Sequence, residues 1–239
     1  DGQVVNNYSQ SISAEFEGTA VINAVGENGD PSKLTYTIER FVLIKDDKPE
    51  ELLPKGTVLV QTVQEEKQAN PFTIDGKEVD ARTREVLNVV LDSFSADSPS
   101  PDIIFGTDKP QKVGGSWDIN SKLASELLAK ADMATKPEDI KGQAKLAEVK
   151  KIDGTEALQI EGQATFNGMQ LPMPAGMKTT KSEVTLTFGG AFPTDTSLPP
   201  LSDHMRMVGD FVAGGDVEGK NIVVTVKIDQ SREQKIRVI

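Results

Sequence analysis

Between positions 12 and 24 the chain alternates with a period of two. The even positions are Ile12, Ala14, Phe16, Gly18, Ala20, Ile22 and Ala24, and between them stand Ser13, Glu15, Glu17, Thr19, Val21 and Asn23. Successive side chains of a strand point to opposite faces, so a small or apolar row backed by a mostly polar one describes an antiparallel strand with one wet side. After a turn cluster at 26–30, Leu34, Tyr36 and Ile38 line one face of the next strand. The row then slips parity to Phe41 and Leu43, which predicts a bulge or a bend there. A polar loop at 46–51 leads to a third strand around 57–64.

The same grammar continues to the end of the chain. Asp75-Gly76 and Asp153-Gly154 are two-residue hairpin signals, because both positions of such turns need left-handed backbone. Leu158, Ile160, Ala164 and Phe166 share a strand face, Val184, Leu186 and Phe188 another. A strand at 205–211 and one carrying Ile222, Val224, Val226 and Ile228 close the series, with Gly214, Gly215 and Gly219 marking the turn between them. Two segments break the period. After Asp80, a candidate N-cap, Val86, Leu87, Val90, Leu91 and Phe94 recur at helical spacing. After Asn120, Leu123, Leu127, Leu128 and Ala131 do so again, and Thr135 to Glu138 has capping-box spacing for one further turn.

These readings predict a mainly β (α+β) protein of about eight to ten antiparallel strands, forming a strongly curved sheet or open half-barrel with two packed helices. The expected buried row is Phe16, Ile22, Leu158, Ile160, Phe166, Val184, Leu186, Phe188, Val224 and Val226. Residues 1–10 read as a flexible leader and 11–239 as one β-rich domain, with 96–119 as the place where two lobes would part.

Composition narrows the chemistry. With one His (His204) and no Cys, ordinary zinc sites lack their ligands. Asp46, Asp47, Glu50 and Glu51 cluster, but no EF-hand spacing is present and Lys45, Lys48 and Lys55 offset the charge. Ser202, Asp203 and His204 have the side chains of a hydrolase triad, yet neighbours on an extended chain point to opposite faces and cannot relay a proton in line. The glycines at 114–115 lack the Lys-Ser/Thr of a phosphate loop. No catalytic residue, cofactor or metal ligand is therefore assigned, and the chain reads as a non-enzyme. A net charge of -11 repels phosphate backbones and argues against nucleic-acid binding. No apolar run reaches the roughly 20 residues of a membrane helix.

The best binding candidate is the stretch Asn-Gly-Met-Gln-Leu-Pro-Met-Pro-Ala-Gly-Met at 167–177. Met169, Leu171, Met173 and Met177 stand there in a Pro/Gly-rich connection, and methionine suits adaptable apolar contacts. The stretch reads either as a lid over an apolar concavity, a partner-binding patch, or plain core tucked under a sheet. Trp117, after Gly114-Gly115, reads as a helix anchor or as a ligand-stacking surface.

The order of features also resembles a family. Phe-Gly-Thr-Asp-Lys-Pro (105–110), Lys-Val-Gly-Gly-Ser-Trp (112–117), Gly-Gln-Ala-Lys-Leu-Ala-Glu-Val (142–149) with Asp153-Gly154, and a late strand at 182–190 before a Pro-rich loop are similar to uncharacterised exported or lipoprotein-type bacterial proteins, planctomycete-like ones above all. In layout alone the chain resembles lipoprotein-carrier-like half-barrels. The resemblance implies an exported, periplasmic or surface protein, with a lipid anchor upstream of residue 1 as one means of attachment. The chain starts at Asp1, as a processed or truncated protein would, and zero Cys suits export. The function expected is a non-catalytic envelope binding module for an apolar or lipid-like ligand. The alternative is a structural or interaction module with a filled core, whose partner is another envelope protein.

Overall fold

The computed structural model describes residues 8–26, 31–62, 71–91, 101–130, 132–196, 198–217 and 219–236. Most of the expected leader, positions 27–30 of the first turn cluster, 63–64 of the third strand, Phe94 and Ala131 lie outside them. The chain divides into two compact units, Asp1–Ser98 and Pro99–Ile239. Each unit carries one six-stranded sheet, the second running as an open path and the first with one strand off its path, and every strand pair is antiparallel.

The first unit contains β1 (Ile12–Val25), β2 (Pro31–Lys45), β3 (Lys48–Glu51), β4 (Val58–Thr62), β5 (Phe72–Ile74), β6 (Lys77–Glu78) and helix α1 (Ala81–Val90). The parity slip is a bulge: Glu17 pairs with Arg40 but Gly18 with Ile38, leaving Glu39 as the extra residue. Below it β2 pairs with β4 over 33–37, and above it with β3 over 42–45, so the bulge lies where the strand changes partner. A Cβ at Gly18 would lie 2.6 Å from the Thr37 carbonyl oxygen, which is why glycine stands opposite the bend.

The polar loop expected at 46–51 is instead a hairpin. Asp46 and Asp47 adopt φ of 50° and 61°, a two-residue turn, and the polar segment after it pairs with β2 as β3. Asp75 and Gly76 turn in the same way between β5 and β6. The core packs Leu34, Tyr36, Ile38, Phe41, Leu59 and Phe72 against Leu87 of α1. Phe16 stands edge-on to Tyr36 and Phe41, and the buried amide of Gln61 accepts the Tyr36 hydroxyl at 2.8 Å. Asp80 caps α1 as expected, accepting the Thr83 N–H at 3.0 Å and the Thr83 hydroxyl at 2.6 Å. These two bonds hold its carboxyl below the ordinary aspartate range.

The second unit contains helix α2 (Pro101–Phe105), β7 (Ser116–Asp118), helix α3 (Ser121–Lys130), a 3₁₀ turn (Pro137–Asp139), β8 (Ile140–Ile152), β9 (Thr155–Asn167), β10 (Met177–Pro193), β11 (Ser202–Val217) and β12 (Lys220–Lys235). Strands β7 to β12 form a meander in sequence order, and Asp153-Gly154 makes the expected tight turn between β8 and β9. Asn120 caps α3, accepting the Leu123 N–H at 3.1 Å. Leu123, Leu127 and Leu128 then pack on a buried cluster that includes Ile140, Ala164, Phe166, Val184 and Phe211. Short α2 adds Ile104 to that cluster.

Several expectations need correction. The turn near 135 is a 3₁₀ turn capped at Lys136 without a side-chain bond, because the Thr135 hydroxyl donates to the Asn167 carbonyl at 2.9 Å instead. Gly214 and Gly215 lie inside β11, which runs on to Val217. Of the expected buried row, Phe166 and Val184 are buried, and Phe16, Leu158, Ile160, Leu186 and Phe188 are half-buried. Ile22, Val224 and Val226 are exposed. They stand on β1 and β12, each the outermost strand of its sheet, with a neighbouring strand on one side only. Among the described residues no helix is long and apolar enough to cross a membrane.

Candidate functional site

The methionine-rich connection leaves β9 at Asn167 through Gly168, whose φ of 63° turns the chain back over the sheet. Three backbone bonds hold its first half. Gly168 N–H donates to the Ser182 carbonyl at 3.2 Å, Gln170 N–H to the Ala134 carbonyl at 2.8 Å, and Leu171 N–H to the Thr179 hydroxyl at 3.0 Å. Thus held, Met169 drops into the buried cluster and is only 5% exposed, with Leu171 packed against the cluster's edge. The second half differs. Met177 N–H closes a turn on Pro174, Met173 and Met177 are half-buried, and neither belongs to that cluster. Gly176 brings backbone so close to Gly215 and Asp216 that neither glycine leaves room for a Cβ.

Trp117 is placed elsewhere in the sheet. It lies on β7 opposite Ala144, with β8 and β9 between it and the strand that carries Met177. Its indole N–H donates to the Phe105 carbonyl at 2.8 Å, tying the end of α2 to the sheet. Beside it, the Phe105 and Phe188 rings touch in a tilted arrangement with centroids 4.5 Å apart. The Phe188 ring covers Gly162, its cross-strand partner on β9, so closely that a Cβ there would overlap the ring.

Two open, shallow concavities lie on the described surface. One, of about 300 Å³, is an open recess lined by Ala134, Thr135, Lys136, Asp139, Gly168 and Gln170. The other, of about 230 Å³, is an apolar groove in the first unit between α1 and the β1–β2 hairpin, lined by Ile12, Ala14, Leu43, Val86 and Val89, with Ser13 and Glu85. Ile12 and Val89 remain largely exposed at its rim. The sequence held one sign of this groove: Val89 is apolar yet lies outside the stripe that buries Leu87.

The catalytic look-alikes do not form a triad. Ser202, Asp203 and His204 occupy successive positions of β11, opposite Ala191, Gly190 and Gly189. Asp203 is taken up by Arg232 at 3.2 Å, and exposed His204 lies across from Glu233 of β12. The acidic cluster is divided, with Asp46 and Asp47 in the turn and Glu50 on β3 paired to Arg82. Among the described residues no group of three or more His, Asp or Glu is placed to hold a metal ion.

The chain matches no family model and no curated protein. One solved structure, that of P47 from Clostridium botulinum A2, aligns over 95% of this chain and 73% of its own length, at 9% identity and a TM-score of 0.18. A likeness at that level carries no argument about fold or function.

Proposed function

We propose that the chain is a non-catalytic binding module of the cell envelope that takes an apolar, lipid-like group on its surface rather than inside a sheet. The observation that carries this reading is the groove between α1 and the β1–β2 hairpin. Its walls are aliphatic, its rim keeps Ile12 and Val89 in water, and covering such side chains is the main favourable term in taking up an alkyl chain. At about 230 Å³ it falls below the range typical of drug-sized ligands, so it fits a segment of a chain rather than a whole lipid.

Titration with a fluorescent fatty acid tests the reading. Saturable binding is expected, weakened about tenfold or more by Val86→Lys or Ile12→Lys, which place a charge in the groove. Ile12 is mostly exposed, so the Ile12 variant should fold as the parent does. Binding that is absent, or unchanged in both variants, refutes it. A second reading, an interaction module with a filled core, is favoured by Met169: the residue best suited to a mobile lid is packed among Phe166, Val184 and Phe211.

A further inference from the structure

Two of the devices that usually keep a free strand from pairing, proline and bulges, are absent from β12, and its charged side chains leave 222–226 uninterrupted. All 16 of its residues register against β11 without a shift, and it contains no proline. β1, the outermost strand of the other sheet, is by contrast interrupted by three register shifts. The row of β12 that continues the core side of the sheet is Ile222, Val224, Val226 and Ile228. Val224 and Val226 face Ala213 and Phe211 across the ladder yet stay 38% and 40% exposed, and Val223 on the opposite side is 67% exposed. An apolar row on a long edge without a bulge is a template for a further strand.

We propose that this edge pairs antiparallel with β12 of a second copy of the chain, with the two-fold axis at Thr225. The sequence around that residue, Ile-Val-Val-Thr-Val-Lys-Ile, is nearly self-complementary when reversed. With the axis there, Ile222 meets the partner copy's Ile228 and Val224 its Val226, while Thr225 meets itself on the opposite face. On the other face Val223 lies against the stem of Lys227, and Asn221 against Asp229. No like charges meet. Moving the axis to Val224 sets Lys220 against Ile228, and moving it to Val226 sets Ile222 against Gln230, so of these three registers only the one at Thr225 gives all four residues of the core-side row apolar partners. The chain as a whole is acidic, but residues 220–230 hold two lysines and one aspartate. Long-range repulsion between the copies is therefore screened by salt while the strand contact is retained. Strand pairing alone covers less than a standard interface of about 1,600 Å², so the dimer is weak, with a Kd of roughly micromolar to millimolar.

Because the chain has no cysteine, one introduced thiol reports the register. Residues directly opposed in an antiparallel pair have Cα atoms about 4.5–5.5 Å apart, within the roughly 4.4–6.8 Å of a disulfide. Thr225→Cys should therefore give a disulfide-linked dimer on mild oxidation. Asp229→Cys should not, since its two copies would stand about 27 Å apart at about 3.4 Å per residue. Sedimentation should show a dimer fraction that rises with concentration and with salt in the parent chain. The double variant Val224→Lys, Val226→Lys should stay monomeric with circular dichroism and Trp117 emission unchanged. A parent that is monomeric throughout, equal cross-linking of the two cysteine variants, or a dimer that survives the double lysine substitution would each overturn the proposal. The groove reading is tested separately, because the lysine variant should still bind the fatty acid.

Discussion

Met169 and Met173 are four residues apart in the same connection, and replacing each by alanine should have very different consequences. Met169 is 5% exposed within a cluster that includes Phe166, Val184 and Phe211, whereas Met173 is half-buried and outside it. Met→Ala removes three heavy atoms from the side chain. At about 0.8 kcal/mol per methylene-sized group, transfer alone accounts for roughly 2.4 kcal/mol at Met169. The cavity adds to this, because bonds from Gly168, Gln170 and Leu171 keep the connection from collapsing inward. The expected total is about 3–4 kcal/mol, inside the range for buried methionine truncations. Met173→Ala should cost under about 1 kcal/mol. The only tryptophan, Trp117, lies in the second unit, so its emission during urea unfolding reports on that unit. With a urea slope of about 2 kcal/mol/M, Met169→Ala should move the midpoint down by roughly 1.5–2 M, and Met173→Ala by less than about 0.5 M. Equal shifts would mean that Met169 is not core, and the filled-core account of this connection would fail.

Two further outcomes follow from local geometry. Gly162→Ala should destabilise the second unit by about 1–3 kcal/mol because its Cβ displaces the Phe188 ring from Phe105, and in a Phe188→Ala background the same change should be close to neutral. Additive effects in that double-mutant cycle would rule out the steric account. Asp80→Ala should speed hydrogen exchange across 81–90 at neutral pH. The Asp80 carboxyl titrates lower in the folded chain than in the unfolded one, so the stability it contributes is full above the unfolded pKa and is lost as pH falls through the folded one. The parent and Asp80→Ala should therefore converge in acid, and a gap that persists there would show that the lost carboxylate is not the cause.

Much of the fold was written in local pattern. The parity slip at Phe41 became the bulge at Glu39, both Asp-Gly pairs became tight turns, and Asp80 and Asn120 cap their helices. Those signals are legible because each is decided within a few residues by backbone sterics or one hydrogen bond. The elements that escaped have no period to display. β3 is Lys-Pro-Glu-Glu, exposed on both faces, and β7 and α2 span three and five residues. Each exists because a partner is already there: β2 for the first, β8 for the second, the Trp117 indole for the last.

The candidate site was harder to read for a related reason. Alternation assigns a residue to a side of a sheet, but burial depends on what lies over that side and how many strands flank it. Val184 and Val224 carry the same side chain in the same kind of row. β10 has neighbours on both sides and packs beneath the cluster, so Val184 is 2% exposed, whereas the outermost strand leaves Val224 open. Composition has the same blind spot. Four apolar side chains in one connection read as a single unit, yet the bonds from Gly168, Gln170 and Leu171 divide it into a half that completes the core and a half that does not. For a protein built of two open sheets, both proposed contacts therefore rest on apolar side chains whose cover is missing. Ile12 and Val89 at the groove and Val223, Val224 and Val226 on β12 are exposed in this way, and Met169 is not.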